Sequence, residues 1–301
     1  MESVIIFGAS GFIGQNLLKK LPNSFDVKAI SLRNKSWKTT SKDSDIFINL
    51  VGKAHDHKGT ATEADYFYAN LDLAKEIFNE FIQSNAKLLI HISSLAAIEE
   101  FESNNPLSES KKANPQSYYG KSKRAAEEWL LAQDLPQNKK IVILRPPMVH
   151  GPGDKGNLGL LYKLISKGIP YPLASFDNSR SFISIDNFSF FIKEIIKKQD
   201  QIVSGIYHIS DDEPISTNRI IEIIKKVENK KVMDLSIPKT IVKGLAKVGD
   251  VIPIPLNTKR LKKMTSNLIL SNHKIKAALQ IENLPLSTEQ GLEITIKSFK
   301  S

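Results

Sequence analysis

Cysteine is absent from the 301 residues of this sequence. Disulfides, thiolate nucleophiles and thiolate metal sites are excluded with it, and a reducing compartment is the natural setting. Long apolar runs are absent too. Nothing approaches the ~20 residues that a membrane-spanning helix needs, and no basic leader precedes the strand-like "SVIIFGASG". A cytoplasmic protein without stable membrane insertion is expected. Histidine is sparse: His55 and His57 stand together with no third ligand at metal spacing, so no metal site is expected. His91, in mid-strand, is expected to have a satisfied ring. Repeats and low-complexity tracts are missing as well, and 41% hydrophobic with 25% charged residues is ordinary globular composition. The formal net charge of +10 comes mostly from lysines interleaved with acids, as in "KEIIKKQD" and "IIKKVENKK". That pattern is a solvated surface, and no nucleic-acid partner is expected. One cluster, "TKRLKKM" at 258–264, contains no acid and reads as a solvated loop, or as a contact for an anionic ligand or lipid headgroup.

What is present begins with "SVIIFGASGFIGQNLLKKL", a buried strand, a glycine turn and a helix with Ile13, Leu17, Leu18 and Leu21 on one side. "DVKAISL", "DIFINLVG", "KLLIHISS" and "KIVILRP" are further strand signals, alternating with helical stretches such as "ADYFYANLDLAKEIFNEFIQSN" and "YYGKSKRAAEEWLLAQ". The alternation predicts an α/β fold, a Rossmann-type doubly wound parallel sheet. From Gly151 glycine and proline multiply, "FISI" and "GIYHIS" look like sheet elements again, and the remainder is helical, with a capping box at Ser287 and Gln290. The expected organisation is an NAD(P)-binding domain at 1–150, to which 182–210 returns. A smaller, mostly helical substrate-binding lobe takes 151–181 and 211–301.

Gly8, Gly11 and Gly14 make "GASGFIG" between the first strand and helix. Glycines there permit a tight turn and close approach to a pyrophosphate, whose charge is met by the helix N-terminus. NAD or NADP is the expected cofactor, with Ser10, Phe12 and Ile13 in the same loop. Leu50, Val51 and Gly52, at the exit of the third strand, and Pro146, at the exit of the fifth, are assigned to the same site. Where dinucleotide folds usually carry an acid after the second strand, this chain has Ser31 and then Arg33. Arg33 suits the 2′-phosphate of NADP, and as a plain surface residue it leaves NAD equally open. Trp37 either stacks on adenine or plugs the sheet edge.

In "SYYGKSK", Tyr119 and Lys123 have i, i+4 spacing and rise from one helix face. Tyr118 reads as packing. With "GASGFIG", "SS" at 93–94 and "LRPPMVHGPGDKGN" at 144–157 in this order, the chain resembles the extended short-chain dehydrogenase/reductases, and among them the nucleotide-sugar epimerase and dehydratase group. The resemblance covers nearly the whole chain. It implies catalysis by Ser94, Tyr119 and Lys123. Tyr119 would trade a proton with a sugar hydroxyl, and Lys123 would supply positive charge and hold the nicotinamide ribose. Ser94 would bond the reacting oxygen while Ser93 points into the fold. The resemblance also implies Asn70 close to the cofactor, with bonding inside its own helix as the alternative. Asn157 and Arg180 would hold the nucleotide diphosphate, Arg180 through its planar fork or else as an ordinary loop residue.

There are departures from the family pattern. Only "RNKSWKTTSKDS" separates the second and third strands, where relatives commonly carry another strand and helix. His150 stands where relatives have tyrosine, and Glu99 and Glu100 replace Tyr-Gly or Asn-Gly; both changes are expected at the substrate lip. The implied function is chemistry at C4 of a UDP-hexose or UDP-N-acetylhexosamine, as a UDP-sugar 4-epimerase in surface-polysaccharide precursor synthesis. The alternative is an NADPH-dependent UDP-4-keto-6-deoxy-sugar reductase, and a more distant one a non-catalytic dinucleotide sensor. A 4,6-dehydratase is disfavoured because "SSLAA" lacks its Asp-Glu pair. The resemblance further implies a homodimer through the helices at 67–83 and 119–132.

Overall fold

The structure, a computed structural model, describes residues 1–300 except 35, 55, 57, 58, 104, 155, 234 and 253–255. The expectations for His55 and His57 therefore lie outside the described residues. The chain opens with β1 (Ser3–Phe7), α1 (Phe12–Lys20), β2 (Asp26–Ile30), a short α2 (Trp37–Ser41) and β3 (Ile46–Asn49). The long amphipathic segment that follows comes in three pieces: α3 (Glu63–Phe67), a π turn (Tyr68–Asp72) and α4 (Leu73–Gln83). Next are β4 (Leu88–Ile92), α5 (Tyr118–Leu131), β5 (Lys140–Arg145), β6 (Met148–His150), α6 (Asn157–Ser166), β7 (Phe182–Ser184), α7 (Ile185–Lys197) and β8 (Gly205–His208). Helices α8 (Thr217–Glu228), α9 (Lys239–Val248), α10 (Thr258–Thr265), α11 (His273–Leu279) and α12 (Thr288–Ser298) complete the chain.

Six strands form one parallel sheet in the order β2-β1-β3-β4-β5-β8. β3 and β4, "IFIN" and "LLIHI", are buried throughout, as strands covered on both faces must be. One face packs on α1 and α7 around Leu17, Phe188 and Ile192. The other carries α4 and α5 around Phe47, Phe78, Phe81 and Leu130. The winding direction reverses between β1 and β3, so a crevice opens where their C-terminal ends part. The brevity of "RNKSWKTTSKDS" leaves β2 as the sheet edge. Trp37 is buried there, its ring 5.6 Å from that of Phe7 and edge-on to it. Of the two roles open to Trp37, it takes the plug.

β7 departs from expectation, because it does not rejoin the large sheet. Pro146 and Pro147 end β5, lacking the N–H groups that would continue its ladder. β6 starts a separate two-stranded parallel sheet with β7, Met148 opposite Phe182 and His150 opposite Ser184. Ser184 then caps α7, accepting from the Asn187 amide, which stops β7 after three residues. α7 and β8 do return, and β8 pairs with β5. A second apolar core joins α6, α8 and α12 through Leu158, Tyr162, Ile220, Ile224, Leu292 and Ile296. The capping box of Ser287 and Gln290 forms at the start of α12. No helix among the described residues is long and apolar enough to cross a membrane.

Candidate active site

The glycine loop is shaped by close approach. Gly8 has φ +80°, and a Cβ there would lie 2.9 Å from the Leu50 carbonyl carbon and the Val51 nitrogen, so the exits of β1 and β3 press together. A Cβ on Gly14 would fall 2.5 Å from Ala9 Cα, which seats α1 against the strand exit. Gly11 donates its amide to the Gly8 carbonyl at 3.2 Å and serves as the N-cap of α1. Ser10 and Gly11 are exposed, Phe12 and Ile13 half-buried, and the first turn of α1 contains no acid. The first-turn amides are therefore available to an anion, and the cradle fits a dinucleotide's pyrophosphate. Leu50 is tied back by its amide to the Phe7 carbonyl at 3.0 Å. Arg33 is exposed just beyond β2.

The start of α5 is held as tightly. Ser117 caps the helix by accepting from the Gly120 amide at 3.0 Å. Glu100, buried, accepts from the Ser117 amide at 2.9 Å, the Ser117 hydroxyl at 2.7 Å and the Gln116 amide at 3.2 Å. A carboxylate belongs at a helix N-terminus. Glu100 is thus a buried clamp, and the expectation that it borders the substrate lip is corrected. Glu99, half-buried, turns back to accept from the Glu100 and Phe101 amides, both at 3.0 Å. A Cβ on Gly120 would lie 2.4 Å from both the Ala96 carbonyl oxygen and Glu100 Oε1, so only glycine lets α5 come this close. Tyr118, expected to pack, is instead 47% exposed at the start of the helix.

That approach places the Tyr119 phenol beside the Ser94 hydroxyl. Burial raises the Tyr119 phenol above its usual pKa; the nearby Ser94 hydroxyl works against this and the Glu100 charge adds to it. Ser94 also accepts from the Ala96 amide at 3.2 Å, which fixes its hydroxyl at the exit of β4. Ser93 points inward as expected and donates to Glu127 Oε1 at 2.5 Å. Glu127 in turn holds Arg145 by two contacts of 2.7 and 2.6 Å. Lys123 is buried and donates to the Ile92 carbonyl at 2.9 Å. Burial lowers its pKa to about 8, with Glu127 opposing the shift. The expected electrostatic help of Lys123 to the phenol is not what shifts Tyr119 here, since the ammonium is turned to the end of β4.

Asn70 sits in the π turn, a feature frequent at functional sites. It is buried, accepts from the Lys53 amide at 2.9 Å, and donates to the Lys53 carbonyl at 3.1 Å and to Ser122 Oγ at 2.9 Å. Its partners lie outside its own helix, which excludes the alternative weighed above. A Cβ on Gly52 would lie 2.6 Å from Asn70 Oδ1 and 2.9 Å from Lys123 Nζ. Gly52, Asn70 and Lys123 therefore converge at the crevice.

The sequence did not signal the pair beneath them. Asn49 and His91 are partners across β3 and β4, and Asn49 Nδ2 lies 3.1 Å from His91 Nδ1. Asn49 Oδ1 accepts from the Val51 amide at 2.9 Å and so shapes the Leu50–Gly52 turn from below. An amide nitrogen only donates, so Nδ1 accepts and Nε2 carries the proton. Nε2 is buried with no hydrogen-bond partner among the described residues, contrary to the expected satisfied ring. Burial and then the Lys123 charge hold this histidine well below its usual pKa, and it is neutral.

On the lobe side, Pro146 is buried and its carbonyl accepts from the Leu95 amide at 2.9 Å. Asn157 is exposed as the first residue of α6. Arg180, half-buried, donates through Nη1 to the Lys263 and Ser266 carbonyls, both at 3.1 Å, and anchors the end of α10. Burial lowers its pKa to about 10. His150 is fully buried, not at the lip, because β6 is covered by α12: its Nδ1 lies 2.9 Å from Thr295 Oγ1 and its Nε2 3.9 Å from Asp211 Oδ2.

Comparison with known proteins agrees with this fold. The model of the NAD dependent epimerase/dehydratase family matches residues 4–210. UDP-glucose 4-epimerase of Vibrio cholerae is 27% identical over 261 residues, 79% of each chain. N-acetyl-alpha-D-glucosaminyl-diphospho-ditrans,octacis-undecaprenol 4-epimerase of Escherichia coli O157:H7 is 24% identical over 255 residues, 79% of this chain and 76% of that one. Among solved structures, UDP-glucuronic acid 4-epimerase from Bacillus cereus, in complex with UDP-glucuronic acid and NAD, superposes with a TM-score of 0.78 at 17% identity over 99% of both chains. The chain belongs to the NAD dependent epimerase/dehydratase family.

Proposed function

We propose that this chain interconverts a sugar nucleotide and its C4 epimer, with a UDP-hexose or UDP-N-acetylhexosamine as substrate. The observation that carries the reading is the Ser94–Tyr119 pair at the open end of the parallel sheet, one helical turn from Lys123 and beside a glycine cradle that fits a dinucleotide. NAD or NADP would rest its diphosphate on the first-turn amides of α1 and its nicotinamide ribose near Lys123, Asn70 and Gly52. When bound, oxidised nicotinamide supplies the hydride acceptor, later the hydride donor, and a positive charge beside the phenol. Tyr119 takes the C4 hydroxyl proton while C4 gives up its hydride, and Ser94 donates to the same oxygen. Once the keto sugar has turned over, Tyr119 would give the proton back to the C4 oxygen as a hydride is added to the opposite face of C4. No net oxidant is consumed. Because burial raises the phenol, Tyr119 works as a base only with that added positive charge nearby. Asn157 and Arg180 at the lobe rim are assigned to the diphosphate.

The 4-epimerase relatives support turnover at C4 over one-way reduction of a 4-keto sugar. The test is to denature protein purified without added cofactor, identify any released nucleotide by mass spectrometry, and follow UDP-glucose and UDP-N-acetylglucosamine by NMR. Retained NAD with formation of the C4 epimer is expected. A site that fills only with NADPH, with reduction of a 4-keto sugar nucleotide, overturns the reading in favour of the reductase. A second substrate class, a sugar diphosphate carried on a polyprenyl lipid, is the one in the Escherichia coli relative's name. Helices α9 and α10 favour it, with Ile241, Leu245, Val248 and Met264 exposed among lysines, and assay of such a lipid-linked sugar beside the UDP-sugars separates the two.

A further inference from the structure

Residues 230–264 differ from the rest of the surface. They hold nine lysines and arginines against two acids, a net +7 of the chain's +10 in 35 residues. The same stretch contributes eight of the sixteen large hydrophobic side chains exposed among the described residues, including Met233 at 82% and Val251 at 86%. Helix α9 shows how the two features combine. Val242 and Ala246 pack inward. Ile241, Leu245 and Val248, spaced i, i+4 and i+7, form a second apolar stripe on one flank and are exposed. Lys239, Lys243 and Lys247 line the other flank. Between the flanks lies Gly244, whose Cβ would meet nothing within 4 Å. The apolar stripe continues through Val251 and Ile252, both exposed. α10 packs beside α9 with Leu261 inward, and adds Lys259, Lys263 and the exposed Met264. Lys243 and Lys247 make no ion pair with a described residue.

A helix that only seals a core needs one apolar stripe, and a second left in water gains nothing from burial. The charge selects what covers it. Anionic headgroups supply negative potential over a plane, with an apolar layer directly beneath, and lysine stems reach the headgroups while neighbouring apolar side chains enter. We propose that the α9–α10 face docks on the surface of an anionic lipid bilayer, with Ile241, Leu245 and Val248 at the acyl boundary. Arg180 anchors α10 through the Lys263 and Ser266 carbonyls, so docking brings the assigned substrate rim beside the bilayer. The inference rests on this surface and holds whichever sugar is turned over.

The test is co-sedimentation of the full chain with vesicles of phosphatidylcholine alone and of phosphatidylcholine mixed with phosphatidylglycerol. Binding to the mixed vesicles, weakened by salt, is expected. Lys243→Ala with Lys247→Ala should reduce partitioning roughly fivefold for each lysine removed. Ile241→Asp with Leu245→Asp should abolish it, with thermal unfolding and turnover of soluble sugar nucleotide unchanged. Failure of the wild-type chain to bind mixed vesicles, or equal binding by both variants, overturns the proposal. So does a dimer that Ile241→Asp splits while vesicle binding persists, which makes a second copy the occupant. Binding of single-stranded RNA that the lysine variant loses, with vesicle binding intact, overturns it in favour of nucleic acid. Loss of turnover with vesicle binding retained strikes the functional reading alone.

Discussion

Two helices each carry a glycine, and the glycines do opposite things. Gly120 in α5 has no room for a methyl group, with the Ala96 carbonyl and the Glu100 carboxylate 2.4 Å from where a Cβ would stand. A Cβ on Gly244 in α9 would meet no other described part of the chain within 4 Å. The first is a contact between backbones that sets Tyr119 against Ser94. The second is an open ridge that no element among the described residues covers. Main-chain approach therefore positions the residues assigned to the site, while the α9 ridge of the lobe faces open space among the described residues.

The largest effect expected is at the pinned end. Tyr119→Phe leaves the ring and its packing in place and removes the phenolic hydroxyl, so kcat should fall by roughly 10²–10⁴. Circular dichroism melting should stay near wild type. A variant that keeps full turnover would show that the close contact at Gly120 serves the fold and that the proton moves elsewhere. Gly120→Ala sharpens the same point. Overpacking of this kind costs about 1–3 kcal/mol, and because the obstruction is backbone and a clamped carboxylate, Tyr119 must shift. Stability by urea titration and kcat should both drop. Glu100→Gln keeps the shape but loses the charge at the helix N-terminus, and should cost less than Gly120→Ala.

How much of this was legible follows from what a sequence can encode locally. The strand and helix alternation, the glycine cradle and the Tyr119–Lys123 spacing are short-range patterns, and the structure has them where they were read. Glu100, His150 and His91 were misread because their roles depend on partners far along the chain. Glu100 finds Ser117, His150 finds Thr295 and Asp211, and His91 finds Asn49 for Nδ1 but nothing among the described residues for Nε2. β7 was misread for a related reason: "FISI" is apolar enough for any sheet, and only the prolines after β5 and the cap at Ser184 decide which sheet it joins. Gly120 alone could have given the clamp away, since a glycine in the first turn of a helix calls for a reason such as close approach.

Beneath the lobe two buried neighbours shift their protonation in opposite directions. Asp211 is buried, and burial raises it from 3.8 to about 7, opposed by bonds from Asn187 and Ser184. Its neighbour His150 is lowered by burial from 6.5 to about 4. For Asp211 the folded state keeps a proton that the unfolded chain releases, so its contribution to stability is lost as pH rises from about 4 towards about 7. For His150 the unfolded chain binds the proton, so its contribution is gained as pH rises from about 4 through 6.5. The two slopes oppose each other across that window. Asp211→Asn removes the falling one, and urea titrations at successive pH values should show stability rising more steeply with pH than in wild type. An unchanged pH profile would mean that Asp211 titrates normally and that its burial is relieved in solution.

Gly244→Ala is the smallest effect and the one that bears most directly on the contrast between the two glycines. In the interior of a helix glycine is less favourable than alanine by up to about 1 kcal/mol, because it leaves more backbone freedom in the unfolded chain. Gly244 has neither a positive φ nor a neighbour in the way, so alanine should fit and raise the midpoint of urea unfolding. Turnover should not change, since the ridge touches none of the residues assigned to the site. Opposite signs for Gly120→Ala and Gly244→Ala would separate a glycine required by contact from one that the fold merely tolerates. If Gly244→Ala destabilises, α9 is covered in solution by something that comes within a methyl group of its ridge. On a protein free of lipid, that covering would have to come from protein, and the open face described above would be closed.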